Sequence, residues 1–262
     1  MAERTKLCYR RLKPSDEHEL IKFLYKQWHL PDKASELSPA KLLARSYMYQ
    51  LLEQQSRTYI AALNGHIVGV IMGRSQQLLS VDRQQQPPNG QPQVPGDGRR
   101  QPPLRIRRHF PSSGNIRRQD SLRLFKLKTR QAAVKLLLSR TQNGRDCQDL
   151  LQCLNETDDA LVKNCVSAFD GELVFFMVDE PYRGRGIGTS LLGLLHQYMR
   201  RVGVRKMYVL TDTGCDYDFY DRHKFSRLMK KSVELPSERL KFTCYMYQYC
   251  YHASPARRIY SR

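Results

Sequence analysis

The chain has 262 residues, of which 40% are hydrophobic, and its mean hydropathy is −0.61. No apolar run approaches the roughly 20 residues of a membrane-spanning helix, and no apolar region follows the basic N-terminus, so the sequence predicts neither a membrane span nor a signal peptide. Its 44 lysines and arginines exceed its 25 acidic residues, which gives a formal net charge of +19 and favours anionic partners.

Seven cysteines are scattered along the chain. They form no Cys-x-x-Cys pair and no zinc-type spacing with the histidines, so no metal site is predicted. An odd and dispersed set of cysteines is typical of a reducing compartment. We therefore expect a cytoplasmic protein without a bound metal.

The N-terminal part is predicted to begin with a strand and two helices. The strand covers residues 7–12. Asp16 is placed to cap the first helix, and Glu19 stands three residues later, where it would complete a capping box. Ser38 followed by Pro39 indicates the start of the second helix, with serine as the cap and proline at the first helical position.

Two apolar runs of β-type residues follow, at 58–63 and 67–73, and Asn64-Gly65 lies between them. This dipeptide readily adopts the left-handed backbone of a tight turn. The two runs are therefore predicted to pair as a hairpin.

Residues 75–169 are interpreted as an insertion in one domain that spans residues 1–262. Six glutamines and six prolines occupy residues 84–103, with hardly any large apolar side chain among them. Such a segment cannot bury enough apolar surface to offset its conformational entropy, so residues 84–118 are predicted to be disordered.

The rest of the insertion, residues 120–169, is predicted to be helical. A basic amphipathic pattern begins at Ser121, and Asn143-Gly144 is expected to end that helix. A second helical pattern covers residues 146–169.

Most of the positive charge lies in one segment. Residues 99–140 contain thirteen lysines and arginines against a single acid, Asp120. Such a run is an electrostatic footprint for RNA, a ribosome or another polyanion, with a solvated helix face as the alternative. The segment has no recognisable RNA-binding module.

The centre of the chain is a strand, a glycine-rich loop and a helix. Residues 172–178 are apolar and of β type, and Pro181 ends the run. The segment from Arg183 to Gly188 reads Arg-Gly-Arg-Gly-Ile-Gly and leads into an amphipathic helix. Backbone amides in such a loop converge with the positive end of the helix dipole, which is a site for a phosphate or diphosphate.

The remaining elements are predicted as a fifth strand at 207–211, a short helix at 216–223, a sixth strand at 226–235 and a last strand at 241–251. The last strand alternates strictly, with tyrosines at every second position. That alternation is typical of a half-buried strand near the edge of a sheet.

The loop does not fit the Rossmann or the P-loop spacing, but Arg183, Gly186 and Gly188 match R/Q-x-x-G-x-G/A between a strand and a helix. In this frame the segment resembles the acetyl-CoA-binding motif of the GNAT superfamily of acyltransferases. The resemblance implies an α/β (α+β) fold. Its central sheet would be mixed, mostly antiparallel and of about seven strands, splayed between strands 4 and 5, with helices on both faces.

The resemblance also implies a site for acetyl-CoA as co-substrate. Backbone groups near Met177 and Val178 would hold the pantetheine arm, and one N–H there would polarise the thioester carbonyl. The diphosphate would be bound by the loop amides and the hydroxyl of the first helical turn, at Arg183, Gly184, Arg185, Gly186, Ile187, Gly188 and Thr189. Thr213 stands closest to the place where many members have an asparagine that contacts pantetheine.

Two catalytic residues follow by position. Glu172 is the candidate general base, because histone-modifying members carry a glutamate there. Its rivals are Asp170 and a group of acids after the fifth strand, Asp212, Asp216, Asp218 and Asp221. Tyr220 is the candidate proton donor to the departing thiolate. Lys224 stands where the family usually has glycine, which puts the turn after this helix in question.

The predicted function is therefore transfer of an acetyl group from acetyl-CoA to a primary amine of a small molecule or protein, by an N-acetyltransferase. One alternative is a binding module on a GNAT scaffold that docks on RNA or a ribosome through residues 99–140. Another is a CoA-binding regulator without catalysis. No pattern in the sequence indicates an oligomer or a membrane partner.

Overall fold

The computed structural model describes residues 6–27, 35, 37–75, 118–235 and 240–251. One seven-stranded sheet runs through them in the order β1-β2-β3-β4-β5-β7-β6. Its strands are β1 (Leu7–Arg11), β2 (Arg57–Leu63), β3 (His66–Ser75), β4 (Gly171–Val178), β5 (Lys206–Asp212), β6 (Ser226–Leu235) and β7 (Leu240–Cys250).

All neighbouring strands pair antiparallel except β4 and β5, which are parallel. The parallel ladder is short: it joins Gly171 to Met207 and ends with Leu173 opposite Val209. Both strands continue beyond this point without pairing to each other, so the sheet is open between the ends of β4 and β5. The predicted fold class, including the splay between the fourth and fifth strands, is confirmed.

Six helices pack on the sheet in the described part of the chain: α1 (Glu17–Gln27), α2 (Pro39–Gln54), α3 (Arg118–Leu138), α4 (Gln142–Asn164), α5 (Ile187–Arg201) and α6 (Asp218–Arg222). One face of the sheet is covered by α5. Its apolar side, which includes Leu191, Leu195 and Met199, is buried against β2, β3, β5 and β7.

The opposite face carries α1 and α2 over β2 and β3, where Leu24, Met48 and Val70 are fully buried. The two helices of the predicted insertion complete this face. Leu127 of α3 joins the same core, and Val162 of α4 packs with side chains of β5 and β7. These two helices are therefore part of the fold on the face opposite α5.

The boundary between α3 and α4 differs from the prediction. The first helix ends at Leu138, and α4 begins at Gln142 with Thr141 as its cap, whose hydroxyl accepts a hydrogen bond from Gly144 N–H at 3.1 Å. Asn143-Gly144 thus lies in the first turn of a helix, because the side-chain cap offers a local start signal. The predicted disorder of 84–118 concerns residues that, apart from Arg118, lie outside the described ones.

Local signals near the N-terminus succeed in part. The Ser38 hydroxyl accepts a hydrogen bond from Lys41 N–H, as the cap prediction requires. Asn64 and Gly65 have φ values of 50° and 90° in the hairpin turn. The predicted capping box is wrong, because Glu19 Oε1 accepts from the amide of Ile67 in β3 instead.

The tyrosine-rich strand β7 lies between β5 and β6, so β6 and not β7 forms the edge of the sheet. Its tyrosine face packs under α5 and α6, where Tyr247 is fully buried. Its other face, with Cys244 and Met246, packs under α4. Both faces of this strand are covered because α4 lies on the side that would otherwise meet solvent.

Candidate active site

A cleft of about 1970 Å³ passes through the opening between β4 and β5. On one side it is lined by the glycine-rich loop and the start of α5, and on the other by side chains of α2, α3 and α4. Ligand pockets usually measure about 300–1,000 Å³, so this cleft is larger than a typical ligand pocket. The opening joins the two faces of the sheet at the end of the parallel pair of β4 and β5.

The loop before α5 has the backbone of an anion site. Gly184 and Gly186 have φ values of 72° and 77°, and a side chain at either position would meet open space. Glycine is therefore required at these two positions because φ is positive, and not because a side chain would clash. Within the described part of the chain, no backbone hydrogen bond takes up the amides of Gly184, Arg185 and Gly186, which precede the positive end of α5.

Gly188 is needed for a different reason. A Cβ atom there would lie 3.2 Å from the ring of Phe176 on β4 and 3.3 Å from that of Phe219 on α6. These two rings pack with their centroids 5.1 Å apart. The first turn of α5 is thereby held close to β4 and α6, so that its free amides face the opening.

The arginines and the hydroxyl of the loop have partners of their own. Arg183 Nε donates to the carbonyl of Val178 at 3.1 Å, and the guanidinium of Arg185 lies 5.5 Å from the ring centroid of Tyr182. Thr189 Oγ1 lies 3.1 Å from Nε2 of His223, whose Nδ1 is 2.8 Å from the Phe219 carbonyl. Because a carbonyl only accepts, Nδ1 of His223 carries a proton and donates it to the Phe219 carbonyl.

The edge of β4 that faces the opening follows from the alternation of peptide groups along a strand. Asp179 N–H donates to the carbonyl of Val68 in β3 at 2.9 Å. The peptide groups of Val178, one residue earlier, therefore point the other way, and its carbonyl indeed meets Arg183. Of the two residues predicted for the pantetheine arm, Val178 presents its amide to the opening, whereas that of Met177 points to β3.

Tyr220 lies on α6 and lines the cleft, with only 7% of its surface exposed. Its ring packs against Phe225 and Tyr247, at centroid distances of 5.3 and 5.6 Å. Burial raises the pKa of the phenol above its usual range, with smaller contributions from Cys215 and Asp216. The hydroxyl therefore stays protonated and can donate a hydrogen bond into the cleft.

Glu172 also lines the cleft and is 9% exposed. It lies opposite Tyr208 in the short parallel ladder, and its carboxylate forms an ion pair with Arg74 of β3. Burial opposes the charge of the guanidinium, but Glu172 and Tyr208 outweigh it, so the pKa of Arg74 is raised. The candidate base thus has a cation beside it that the sequence analysis did not identify.

The rivals of Glu172 are arranged differently. Asp170 accepts hydrogen bonds from the backbone amides of Arg205 and Lys206 at 2.9 and 2.8 Å. Asp221 pairs with Arg227 at 2.9 Å. Of the whole group, Asp212 and Asp216 line the cleft.

Thr213 is directed away from the cleft. Its hydroxyl accepts from the backbone N–H of Thr243 in β7 at 3.2 Å, and its own N–H donates to the Thr243 carbonyl at 3.1 Å. Lys224 adopts the left-handed conformation with φ of 65°, and Phe225 N–H closes the turn onto the carbonyl of Tyr220. The turn that glycine usually makes is therefore kept with a lysine in it.

The cleft residues that the sequence patterns did not indicate include Arg74, Tyr47 on α2 and Asp158 on α4. No spacing could have indicated them, because they come from elements far apart in the chain. Among the described residues, no group of three or more His, Cys, Asp or Glu side chains could hold a metal ion. None of the described helices has the length and apolar character needed to cross a bilayer.

A mixed seven-stranded sheet that opens beyond its one parallel pair, with a glycine loop and a helix N-terminus at the opening, defines a GNAT-type acyltransferase fold. A family comparison agrees: residues 153–225 match the acetyltransferase (GNAT) family. The match covers less than half of the chain but includes the loop, α5 and Tyr220. The resemblance to this family that was recognised in the sequence is thereby confirmed over residues 153–225.

No curated protein matches the chain. Similar solved structures include a GNAT-family acetyltransferase from Streptococcus pneumoniae, with 13% identity, coverage of 94% of this chain and 100% of that one, and a TM-score of 0.44. Arabidopsis thaliana NAA60 in complex with a bisubstrate analogue has 12% identity, coverage of 95% and 100%, and a TM-score of 0.46. The ribosomal-protein-S18-alanine N-acetyltransferase from Escherichia coli has 9% identity, coverage of 96% and 98%, and a TM-score of 0.47. At these values the likeness adds no argument to the topology and the matched segment.

Proposed function

We propose that this protein transfers an acetyl group from acetyl-CoA to a primary amine. The observation that carries the proposal is the opening between β4 and β5 directly beside a loop of free amides. Acetyl-CoA would supply the activated acyl group as a thioester. Its diphosphate matches the amides of residues 184–189 and the positive end of α5, and Arg183 or Arg185 would add a charge-assisted contact.

Three groups of the chain would then act on the reacting atoms. The Val178 N–H, which points into the opening, would donate to the thioester oxygen and stabilise the charge that develops there. Glu172 would take a proton from the attacking ammonium or amine, directly or through water, since an alkylamine with an ordinary pKa near 10 is protonated at neutral pH. Tyr220 would donate its O–H to the departing sulfur.

The raised pKa of Tyr220 qualifies its role. A thiol has an ordinary pKa near 8.5. Proton transfer to a thiolate from a phenol with a pKa above 10 is therefore unfavourable. The contribution of Tyr220 is then mainly a hydrogen bond to the leaving sulfur, with the final proton supplied by solvent. Thr213 has no part in this scheme, because its hydroxyl is engaged with β7.

The wider setting of the enzyme is also part of the proposal. We place it in the cytoplasm, a reducing compartment, because six described cysteines are free thiols. We keep the interpretation of one domain with an inserted segment at 75–169. Docking on RNA or a ribosome through residues 99–140 remains the alternative prediction, although Lys128 and Arg130 of α3 already pair with Glu53 and Glu17.

Thermal unfolding with and without acetyl-CoA tests the proposal. Ligand at about 100 times its Kd should stabilise the native state by about 2.7 kcal/mol, which is a rise in Tm of several degrees. The variant Gly186→Glu, which introduces a carboxylate at the anion site, should lose this rise. Gly65→Glu is the matched control, because Gly65 also has a positive φ and open space around it but lies at the hairpin tip. No rise at millimolar acetyl-CoA would contradict the proposal.

A further inference from the structure

A histidine connects α6 to the first turn of α5, next to the glycine loop. Nε2 of His223 lies 3.1 Å from Oγ1 of Thr189, and its Nδ1 donates to the Phe219 carbonyl at 2.8 Å. The ring of His223 also stacks on that of Phe219 at a centroid distance of 3.9 Å. His223 and Thr189 line the cleft together with Gly186 and Gly188 of the loop. The imidazole is therefore held in one orientation beside the proposed diphosphate site.

The hydrogen bond between His223 and Thr189 has two forms, which differ in the charge of the imidazole. Nδ1 carries a proton in both forms, because it faces a carbonyl oxygen. In the neutral ring Nε2 only accepts, so the hydroxyl of Thr189 gives its one proton to this bond and presents only lone pairs to the cleft. In the imidazolium Nε2–H donates to Oγ1, and the hydroxyl proton of Thr189 is then available to a ligand.

A bound diphosphate favours the second form. Phosphate oxygens only accept hydrogen bonds, so they are repelled by a hydroxyl that presents lone pairs and attracted by one that donates. The positive charge of the imidazolium adds to this attraction, as it does in other charge-assisted contacts. The ring of Phe219 below it also favours a positive ring over a neutral one. Histidine changes its charge between roughly pH 5 and 8, so a ligand can shift this balance near neutral pH.

The charges around His223 act in the same direction. The charged and titratable groups of the surrounding elements are Arg183 and Arg185 of the loop, His196 of α5, Asp216, Asp218, Tyr220, Asp221 and Arg222 at α6, Lys224 after it, and Arg227 of β6. Asp216 lies 3.4 Å from Arg222, and Asp221 lies 2.9 Å from Arg227, so these acids already have cations beside them. Burial, with Arg200 and His223 as smaller causes, lowers the pKa of His196 to about 4, so His196 is neutral near pH 7. The loop arginines oppose a charge on His223, and a bound anion offsets them.

We propose that His223 is a binding residue for the diphosphate of acetyl-CoA, which it recognises in its protonated form through the hydroxyl of Thr189. Binding of acetyl-CoA then takes up a proton, which passes from the buffer to Nε2 of His223 without any change in covalent bonds of the ligand. Affinity for acetyl-CoA should consequently fall as the pH rises through the range in which His223 titrates. This inference rests on the proposed function, because it takes the glycine loop as the site of acetyl-CoA.

Calorimetry in two buffers of different ionisation enthalpy measures this proton uptake. At pH 7.5 the unmodified protein should take up more protons on binding acetyl-CoA than His223→Gln does, by up to about one per site. Its Kd should weaken from pH 6.5 to pH 8, by up to about tenfold per pH unit, which is the change linked to one proton. Glutamine can donate to Thr189 but does not titrate, so the Kd of His223→Gln should depend less on pH.

The matched control is His66→Gln, because the side chain of His66 is 87% exposed at the hairpin. This variant should keep the proton uptake of the unmodified protein. The terminal phosphate of CoA titrates near pH 6 as well, but its contribution is common to all the proteins and cancels in the comparison.

A change at Thr189 tests the contact from its other side and guards against a histidine variant that fails to fold. Thr189→Val keeps the branched shape but lacks the hydroxyl, and should lose most of the proton uptake, whereas Thr189→Ser should retain it. Equal uptake in the unmodified protein and in His223→Gln or Thr189→Val, or a Kd that does not change with pH, would overturn the inference. If acetyl-CoA neither binds nor raises Tm, the proposed function itself fails; if it binds without uptake at His223, only this inference fails.

Discussion

The guanidinium of Arg74 and the carboxylate of Glu172 form an ion pair between β3 and β4, next to the position where β4 and β5 separate. The two side chains are 16% and 12% exposed, so the pair is largely removed from water. A guanidinium fixes the orientation of a carboxylate through directed N–H donors. Arg74 is therefore the residue that positions the proposed base.

Replacing Glu172 by glutamine tests the base directly. Glutamine keeps the shape but cannot accept a proton, so kcat should fall by about 10²–10⁴-fold with the stabilisation by acetyl-CoA retained. Glu180→Gln, on the short turn after β4, is the control and should keep its activity. Turnover within twofold of the unmodified protein would remove Glu172 from the role of base.

The ion pair also predicts coupling between two substitutions. Removal of either partner leaves a buried charge, so Arg74→Met and Glu172→Gln should each destabilise the fold, by up to about 3–5 kcal/mol. The double variant should lose much less than the sum of the two, because no unpaired charge remains. Urea unfolding of the four proteins measures the coupling. Additive losses would show that the pair has no energetic role.

Tyr220→Phe separates chemistry from binding. The phenyl ring can keep its packing against Phe225 and Tyr247, while the donor to the departing sulfur is lost. We expect kcat to fall by about 10²-fold with the acetyl-CoA-dependent rise in Tm unchanged. Tyr217→Phe, one turn earlier and outside the cleft, should have no effect on kcat. Equal turnover in the two variants would contradict the role of Tyr220.

The left-handed turn at Lys224 predicts a stabilising substitution. A residue with a Cβ atom costs about 1–2 kcal/mol in this conformation, and glycine removes that cost. Glycine also gives the unfolded chain more entropy, which lowers the stability by about 0.5–1 kcal/mol. Lys224→Gly should therefore raise the free energy of unfolding by about 0.5–1 kcal/mol, measured in urea. Lys230 lies in β6, where the backbone is extended, so Lys230→Gly should instead lower the free energy of unfolding. A loss of stability at position 224 would show that the strain is absorbed by its surroundings.

His196 predicts a dependence of stability on pH. It lies on α5 with its ring 4.2 Å from that of Tyr249 and Nδ1 2.7 Å from the Tyr251 hydroxyl. Burial, with Arg200 and His223 beside it, lowers the pKa of His196 from 6.5 to about 4. Neutral His196 therefore contributes its full share to the free energy of unfolding above the unfolded pKa of about 6.5. That share is lost as the pH falls toward 4, by about 1.4 kcal/mol per pH unit.

Unfolding free energies at pH 7.5 and pH 5.5 should therefore differ by roughly 1 kcal/mol from this residue, and His196→Gln should remove that difference. His66→Gln is the control, since the side chain of His66 is 87% exposed at the hairpin. Asp179 titrates in another window: burial opposes its charge, but hydrogen bonds from Lys26 and Gln27 lower its pKa, so its contribution is lost only below about pH 4. Equal pH dependence with and without His196 would contradict the assignment.

The features that could be predicted from the sequence are the local ones, which depend on residues close together in the chain. The glycine loop, the hairpin at Asn64-Gly65 and the cap at Ser38 depend on backbone preferences and on contacts within a few positions. Each of the seven strands was located from its own apolar or alternating run, whereas their arrangement in one splayed sheet followed from the resemblance to a family. The capping box at Asp16 and Glu19 failed because the amide of Ile67, distant in sequence, competed for the glutamate.

The sequence by itself determined the loop, because φ values near 75° at Gly184 and Gly186 are a property of the residues that adopt them. Only the tertiary structure decided what surrounds the reaction. Arg74 meets Glu172 and Asp158 shares a cleft with Tyr47 because β-pairing and helix packing bring distant segments together. No local pattern encodes such partners, since the register of the sheet and the placement of α4 depend on the burial of the whole apolar surface.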